Sequence, residues 1–391
     1  CEAYGDAPLS GIRVMMEKAT QMQKNGADVI HMEIGRPDFD TPQVIKDAAY
    51  DSIRRGNVFY TSNYGTPELR KAIAEKLKRD NNVDYTPEEI LVTIGVGEGT
   101  YAAVAAFLNP GDEVLVPDPV WLNYIHVPNF FGAVPVSYKL QEENDFQIDL
   151  KELESLITDK TRMLVINTPG NPTGVVQSYE TLKGLADMAI RHDLIVVSDE
   201  IYEKLVYGGE KHISIASLPG MKERTIYING FSKAYAMTGW RLGYCCGPAA
   251  IIQQMTKIHQ FAIMCAPTTS QYAAVEALKN GDPDIEEMRT AYNQRRRFLM
   301  NAFREMGLEC FDLTAHSMYS PRIKEFGMTS EEFATRFLEE EKVAAVPGTA
   351  FGDSGEGYLR ISYAYSLEKL KIAIGRLGHF VEKLRAEQNN K

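Results

Sequence analysis

Lys233 stands in the stretch Gly230-Phe-Ser-Lys-Ala-Tyr-Ala-Met-Thr-Gly-Trp-Arg-Leu-Gly-Tyr244, with no other charged residue before Arg241, eight positions on. An amine among small, aromatic and apolar neighbours loses hydration, which disfavours its charged form and makes it a better nucleophile toward a carbonyl. Arg241 keeps its charge in such surroundings and suits a phosphate. Taken alone, the two read as a snorkelling lysine and a surface arginine flanking a buried strand, so their neighbours must decide.

Asp199 follows the apolar run Leu194 to Ser198, and Tyr202 lies three residues beyond it. Ligands of open α/β sheets sit outside the carboxyl ends of the strands, so an acid there is placed to meet one. A helix-capping Asp before Glu200 and Ile201 is the other reading. Asn171-Pro-Thr-Gly174 follows the run Met163 to Asn167 in the same way, although its residues are ordinary turn formers. Gly95-Val-Gly-Glu-Gly-Thr100 reads as a loop between the run Ile90 to Ile94 and an apolar helix, where backbone N–H groups and a helix start would hold a phosphate. It lacks the lysine of a Walker A loop and the full glycine pattern of a dinucleotide fingerprint. Trp121, in Pro117-Asp-Pro-Val-Trp-Leu-Asn-Tyr124, adds an aromatic face. Together these groups match pyridoxal 5'-phosphate, whose aldehyde needs an amine, whose ring nitrogen needs an acid and whose phosphate needs fixed donors.

Gly230 to Tyr244 resembles the Schiff-base lysine motif of the class I and II aminotransferases, of pyridoxal-phosphate fold type I. Asn167-Thr-Pro-Gly-Asn-Pro-Thr-Gly174, Ser198-Asp-Glu-Ile-Tyr-Glu203, Pro110-Gly-Asp-Glu-Val114, Tyr60-Thr-Ser-Asn-Tyr-Gly65 and Leu359-Arg-Ile-Ser-Tyr-Ala364 resemble other motifs of that family, in family order, from about residue 8 to 385. The resemblance implies a ping-pong transfer of an amino group between an L-amino acid and a 2-oxo acid, with aspartate, aromatic or broad specificity. It makes Lys233 the lysine that joins the cofactor and, once released, moves a proton at the substrate Cα. Asp199 becomes the partner of the ring nitrogen, Asn171 and Tyr202 the partners of the ring hydroxyl, and Trp121 the stacking face. Arg241, Ser232 and the segment Val96, Gly97 and Glu98, through its backbone N–H groups, would hold the phosphate. Tyr60 would reach the phosphate of a neighbouring subunit, which implies a homodimer with shared sites. Arg360 would clamp the substrate α-carboxylate as a bidentate partner, with Gly35 and Asn171 bordering the substrate.

Three positions depart from the family pattern. Gly230 replaces a serine that often contacts the phosphate. Arg36 stands where many relatives have Glu, and is read here either as a group favouring an acidic substrate side chain or as a solvent-facing loop arginine. Ala315-His-Ser-Met-Tyr319 replaces the usual Gly-Ala-Phe-Tyr, with His316 structural. The same framework serves carbon-sulfur and γ-elimination lyases, which is the alternative activity. A noncatalytic ligand-sensing domain fused to a DNA-binding module is disfavoured, because the chain offers neither room for the module nor a basic recognition helix.

The elements that must position these residues alternate. Short β-rich runs, at Ile90 to Ile94, Glu113 to Pro117, Met163 to Asn167, Leu194 to Ser198, Thr225 to Asn229 and Leu242 to Cys246, are separated by helical stretches such as Tyr101 to Leu108 and Ser178 to Arg191. Near-continuous apolar strands interleaved with helices predict an α/β fold, a mostly parallel sheet covered on both faces. With the resemblance this becomes a seven-stranded sheet in a large domain, residues 43–283. A smaller α+β domain would combine residues 1–42 with 284–391. At 391 residues the chain exceeds what one core usually serves. Asp28 to Ile34 looks strand-like, and the last helix carries Leu367, Leu370, Ile374, Leu377, Val381 and Leu384 on one face before a polar tail, Gln388 to Lys391, expected to fray.

A formal net charge of -11 argues against a general nucleic-acid binder, and the densest basic run, Arg295-Arg-Arg297, reads as a solvated helix face. Five cysteines without C-x-x-C spacing indicate neither a disulfide framework nor a zinc site. No apolar run is long enough for a bilayer, and Cys1-Glu-Ala-Tyr-Gly-Asp has no signal-peptide pattern, so a cytoplasmic location is expected.

Overall fold

The computed structural model describes residues 10–311 and 314–390. The Cys1 to Asp6 stretch used for the signal-peptide reading, and Lys391, lie outside the described residues. The central sheet has seven strands in the order Ile90–Thr93, Gly243–Cys246, Thr225–Gly230, Ile195–Asp199, Thr161–Asn167, Glu113–Asp118, Val134–Lys139. All neighbours pair in parallel except Gly243–Cys246, which is antiparallel to both of its partners. The inner strands Thr225–Gly230 and Gly243–Cys246 and the edge strand Ile90–Thr93 are buried along their length, as their continuous apolar runs require. The edge strand Val134–Lys139 had no counterpart among the six β-rich runs: it is largely exposed and contains Pro135, which an edge tolerates because one side needs no ladder donor.

The antiparallel strand explains the spacing of the two cationic residues. The chain leaves the sheet after Gly230, crosses residues 231–242 and returns beside the same strand, with Gly230 opposite Gly243. Lys233 and Arg241 both lie on that crossing and are therefore held over one end of the sheet. Parallel pairing puts Asn167 beside Asp199 at that end.

Helix starts follow their signals: Thr66 accepts from Leu69 N ahead of Pro67, Ser178 caps Tyr179–Arg191, and Thr329 closes a capping box with Glu332. One expectation is corrected here. The glycine-rich segment after Thr93 is not a loop, because the helix begins at Gly95 and runs to Phe107. Its glycines serve close approach: a Cβ on Gly99 would lie 2.5 Å from Cys245 Sγ.

Residues from both ends of the chain share one core, in which Met15, Ala19 and Met32 pack with Phe303, Phe333, Phe337, Leu359 and Phe380. Ile201, Tyr202 and Leu205 join it from the sheet side. Around it lie a three-stranded sheet of Val346–Pro347, Leu359–Ser362 and Met318–Tyr319, and a two-stranded one in which Ile30–His31 pairs with Val343–Ala344. The strand expected over Asp28 to Ile34 thus shrinks to two residues, since its partner is equally short. Arg295 to Arg297 are not a uniformly solvated face: Arg296 is buried, and Arg295 bonds Asp38 at 2.7 Å while lying over the Phe39 and Tyr292 rings. In the last helix Leu367, expected on the apolar face, is exposed because it opens the first turn, and the expected fraying tail is helical through Asn389, tied by Gln388 Nε2 donating to the Glu325 carbonyl at 2.9 Å. Among the described residues no helix is long and apolar enough to cross a membrane.

Candidate active site

A cavity of about 390 Å³ opens at the carboxyl end of the sheet and is lined by Lys233, Asp199, Asn171, Tyr202, Trp121, Ser232, Arg241, Val96 and Gly97. Residues scattered over more than a hundred positions of sequence thus share one space, because they follow strand ends, open the Gly95–Phe107 helix or sit on the 231–242 crossing. Asn167, Ile201, Thr238 and Arg13 complete the lining.

Lys233 Nζ donates to the Gly35 carbonyl at 2.6 Å and lies 5.7 Å from the Tyr202 ring centroid. Burial pulls the amine down to about 8, the Arg360 guanidinium adds to this, and Asp199 opposes it. The lysine therefore has a substantial neutral, nucleophilic fraction near neutrality. Asp199 is the last residue of its strand and is buried, with turns rather than a helix after it, so it caps no helix. Its Oδ2 accepts from the Tyr124 hydroxyl at 2.8 Å and its Oδ1 from Ile201 N at 3.1 Å. Burial pushes its carboxyl up to about 6, restrained by those two hydrogen bonds and by Lys233, so it is ionised above that range. Asn171 is tied to the same strand ends: its N–H donates to Asn167 Oδ1 at 2.8 Å, while Asn167 Nδ2 donates to the Asp199 carbonyl at 3.3 Å. The Asn171 side-chain Oδ1 is buried without a partner, an open hydrogen-bonding position on the cavity wall.

At the other end of the cavity, Arg241 takes φ +53 and donates Nη1 to the Thr238 carbonyl at 3.0 Å. Gly95 has φ +72, and a Cβ there would fall 2.8 Å from Arg241 Nη2. Only glycine fits that conformation and that approach together. Among the described residues no side chain and no carbonyl outside the helix accepts from the amides of Val96, Gly97 or Glu98, so the helix start offers donors beside a fixed guanidinium. Such a cradle suits a phosphate.

Arg360 lines a smaller neighbouring cavity of about 20 Å³ rather than the main one. It is buried, donates Nη2 to the Glu33 carbonyl at 2.6 Å and lies 4.7 Å from the Phe351 ring centroid, while its Nε has no partner among the described residues. Gly35 lines neither space but touches a residue of each. Its carbonyl holds Lys233, and a Cβ on it would lie 3.1 Å from Met318 Sδ and 3.8 Å from Arg360 Nη1. His316 is buried, with Nδ1 accepting from Met318 N at 3.0 Å and a carbonyl that accepts from the Tyr207 and Tyr363 hydroxyls. Burial and the Arg360 charge push its ring down to about 3, so it stays neutral and structural.

Three expected residues stand apart. Tyr60 is 82% exposed and lines no part of this cavity. Arg36 lines an adjoining recess that shares Thr238 and Arg241 with the site. The Glu98 carboxylate turns away, toward Ile94 N and His259. Sequence reasoning passed over Tyr124, although it is fully buried against Asp199, because a tyrosine in an apolar helix carries no local mark of its partner. It also gave Arg13 no place in the site, since a position near the start of the Gly11–Lys24 helix carries no sign that the side chain lines the cavity.

The family model described as aminotransferase class I and II matches residues 27–377. The chain is 46% identical over 371 residues to the aspartate aminotransferase of Pyrococcus abyssi, with 94% of each chain covered. It is 44% identical over 352 residues to aromatic-amino-acid aminotransferase 2 of Thermococcus litoralis, covering 89% of this chain and 90% of that one. Among solved structures, the aromatic aminotransferase of Pyrococcus horikoshii superposes with a TM-score of 0.90 at 44% identity, covering 94% of this chain and 99% of that one. Thermus thermophilus aspartate aminotransferase with maleate does so with a TM-score of 0.93 at 37% identity, covering 97% and 98%.

Proposed function

We propose a cofactor, a substrate range and an assembly for this chain on the ground that it belongs to the class I and II aminotransferases. Its activity is the transfer of an amino group between an amino acid and a 2-oxo acid. The cofactor is pyridoxal 5'-phosphate, and the residues present fit it. Free helix amides and Arg241 suit its phosphate, ionised Asp199 its ring nitrogen, the open Asn171 Oδ1 its ring hydroxyl, and Lys233 its aldehyde. When bound, the cofactor supplies an electron sink for the bonds at the substrate Cα. The single observation that carries the reading is that an amine with depressed basicity and a buried carboxylate share one cavity with an anion cradle.

The chain's own residues do the rest. Lys233 provides the nucleophile and then, as a free amine, takes the proton from the substrate Cα. Asp199, held by Tyr124 and Ile201, keeps a negative charge on one side of the cavity. Arg360 receives the α-carboxylate, where its unpaired Nε and the planar guanidinium give an orientation that a lysine would not. Trp121 closes the ring-facing wall and comes near Gly97, where a Cβ would lie 3.6 Å from its Cη2.

Aspartate and aromatic amino acids are the proposed donors, as the relatives' names suggest. Arg13 supports the acidic substrates: it lines the cavity and has no acidic partner among the described residues. The aromatic wall of Trp121 and Tyr202 supports the others. Residues 43–283 form the proposed cofactor domain, with 1–42 and 284–391 as the second domain. A homodimer completes the site: Phe59, Tyr60 and Phe261 are exposed apolar side chains, on segments tied by Asn63 Nδ2 donating to Gln260 Oε1. A half-reaction screen tests the reading: aspartate and phenylalanine should each bleach the absorbance of the lysine-bound cofactor, and a 2-oxo acid should restore it. Pyruvate and ammonia released from cysteine conjugates, with no bleaching, would count for elimination instead.

A further inference from the structure

The helix that offers its amides to an anion also carries a carboxylate in its first turn. Glu98 there suits the helix dipole but repels a phosphate bound at the same end. Its placement resolves part of the conflict. Glu98 Oε2 accepts from Ile94 N at 2.9 Å, and Oε1 lies 2.9 Å from Nδ1 of His259. Ile94 occupies the N-cap position and has no side chain to accept from the first-turn amides, while Glu98, from inside the helix, accepts from the N-cap N–H as the acid of a capping box does. It thereby pins the backbone just before the free amides of Val96 to Glu98.

His259 belongs to the helix Ala249–Ala262 and is fully buried. Among the described residues its Nε2 has no partner, so the bond to Glu98 is what orients the ring. A histidine hidden in the core whose ring contact is to an acid in the helix turn beside an anion cradle has little reason to be there for packing alone. We propose that Glu98 and His259 are a positioning pair for the cofactor phosphate. His259 donates to Glu98 and draws its negative charge away from the anion, while Glu98 holds the start of the helix in the shape that leaves its amides free. The inference rests on the cofactor assigned above.

The test compares pyridoxal 5'-phosphate with pyridoxal, which lacks the phosphate, binding to protein freed of cofactor, with each Kd read from the absorbance of the lysine adduct. In His259→Phe the Glu98 charge loses its donor, and the preference for the phosphorylated form should fall about tenfold. In Glu98→Gln the acceptor for Ile94 N remains without the charge, and the preference should rise about threefold. The double variant should return to within about threefold of the parent. Circular dichroism and melting check the fold, and His259→Gln, which keeps a donor, should fall between Phe and His and stands in if the Phe variant does not fold. A phosphate preference unchanged in both single variants, or a loss of affinity equal for the two ligands, overturns the proposal. Failure of the parent protein to form any adduct with pyridoxal 5'-phosphate would be a different result, and would remove the cofactor assignment itself.

Discussion

Asp199 is held in two conflicting conditions: burial favours its neutral form, yet the proposed chemistry wants its charge. Its folded value of about 6 stands above the ordinary 3.8, so the folded state binds the proton more tightly than the unfolded chain. The stability this brings is complete below the unfolded value and is lost as pH rises through the folded one. Above that, the ionised group costs about 3 kcal/mol at roughly 1.36 kcal/mol per unit. Asp199→Asn should therefore stabilise the cofactor-free protein at pH 8 by about 1–2 kcal/mol in urea unfolding, with the Tyr124 hydroxyl turning to accept, while transamination falls by about a thousandfold. A variant less stable than the parent at pH 8 would show that Asp199 is better satisfied than its surroundings indicate. At this scale the sequence spoke through types in company: Lys233, Asp199 and Asn171 were legible because each lay just past an apolar run, and Arg241 because it lay just before one. Tyr124 and Arg13 were not, since their significance comes from a partner or a cavity that only the folded chain supplies.

At the scale of elements, the site depends on the return of one strand. Gly243–Cys246 runs against its neighbours, so the chain crosses the sheet end twice within a short interval and brings Lys233 and Arg241 over the same cavity. The apolar run announced the strand, but its direction was not legible, because parallel and antiparallel strands buried on both faces have the same composition. The misread start of the Gly95–Phe107 helix has a related cause: glycines normally mark loops, and here they permit the approach of Arg241, Trp121 and Cys245. Gly95→Ala should show this directly. With φ +72 and Arg241 Nη2 in the way, the variant should lose about 1–2 kcal/mol of stability and bind pyridoxal 5'-phosphate about tenfold more weakly. Unchanged affinity for the cofactor would mean that the cradle tolerates displacement of Arg241.

At the scale of the whole molecule, a sheet-based unit carries the lysine, the acid and the cradle, while Arg360 comes from a strand after residue 358 and Arg13 from the first helix. The substrate would then be gripped from elements distant in sequence, with Gly35 linking the two sides through its contact to Lys233. The exposed Phe59, Tyr60 and Phe261 place further demands on assembly. Sedimentation should find a dimer, and Phe261→Glu should shift it toward monomer with loss of cofactor, whereas a fully active monomer would contradict sharing of sites. The most direct measurement of the central claim is borohydride reduction of the cofactor-loaded protein followed by peptide mass analysis. The account predicts that the pyridoxyl label falls on Lys233, disappears when aspartate is added before reduction, and returns after a 2-oxo acid. Label on another lysine, or label on Lys233 that aspartate leaves untouched, would contradict it.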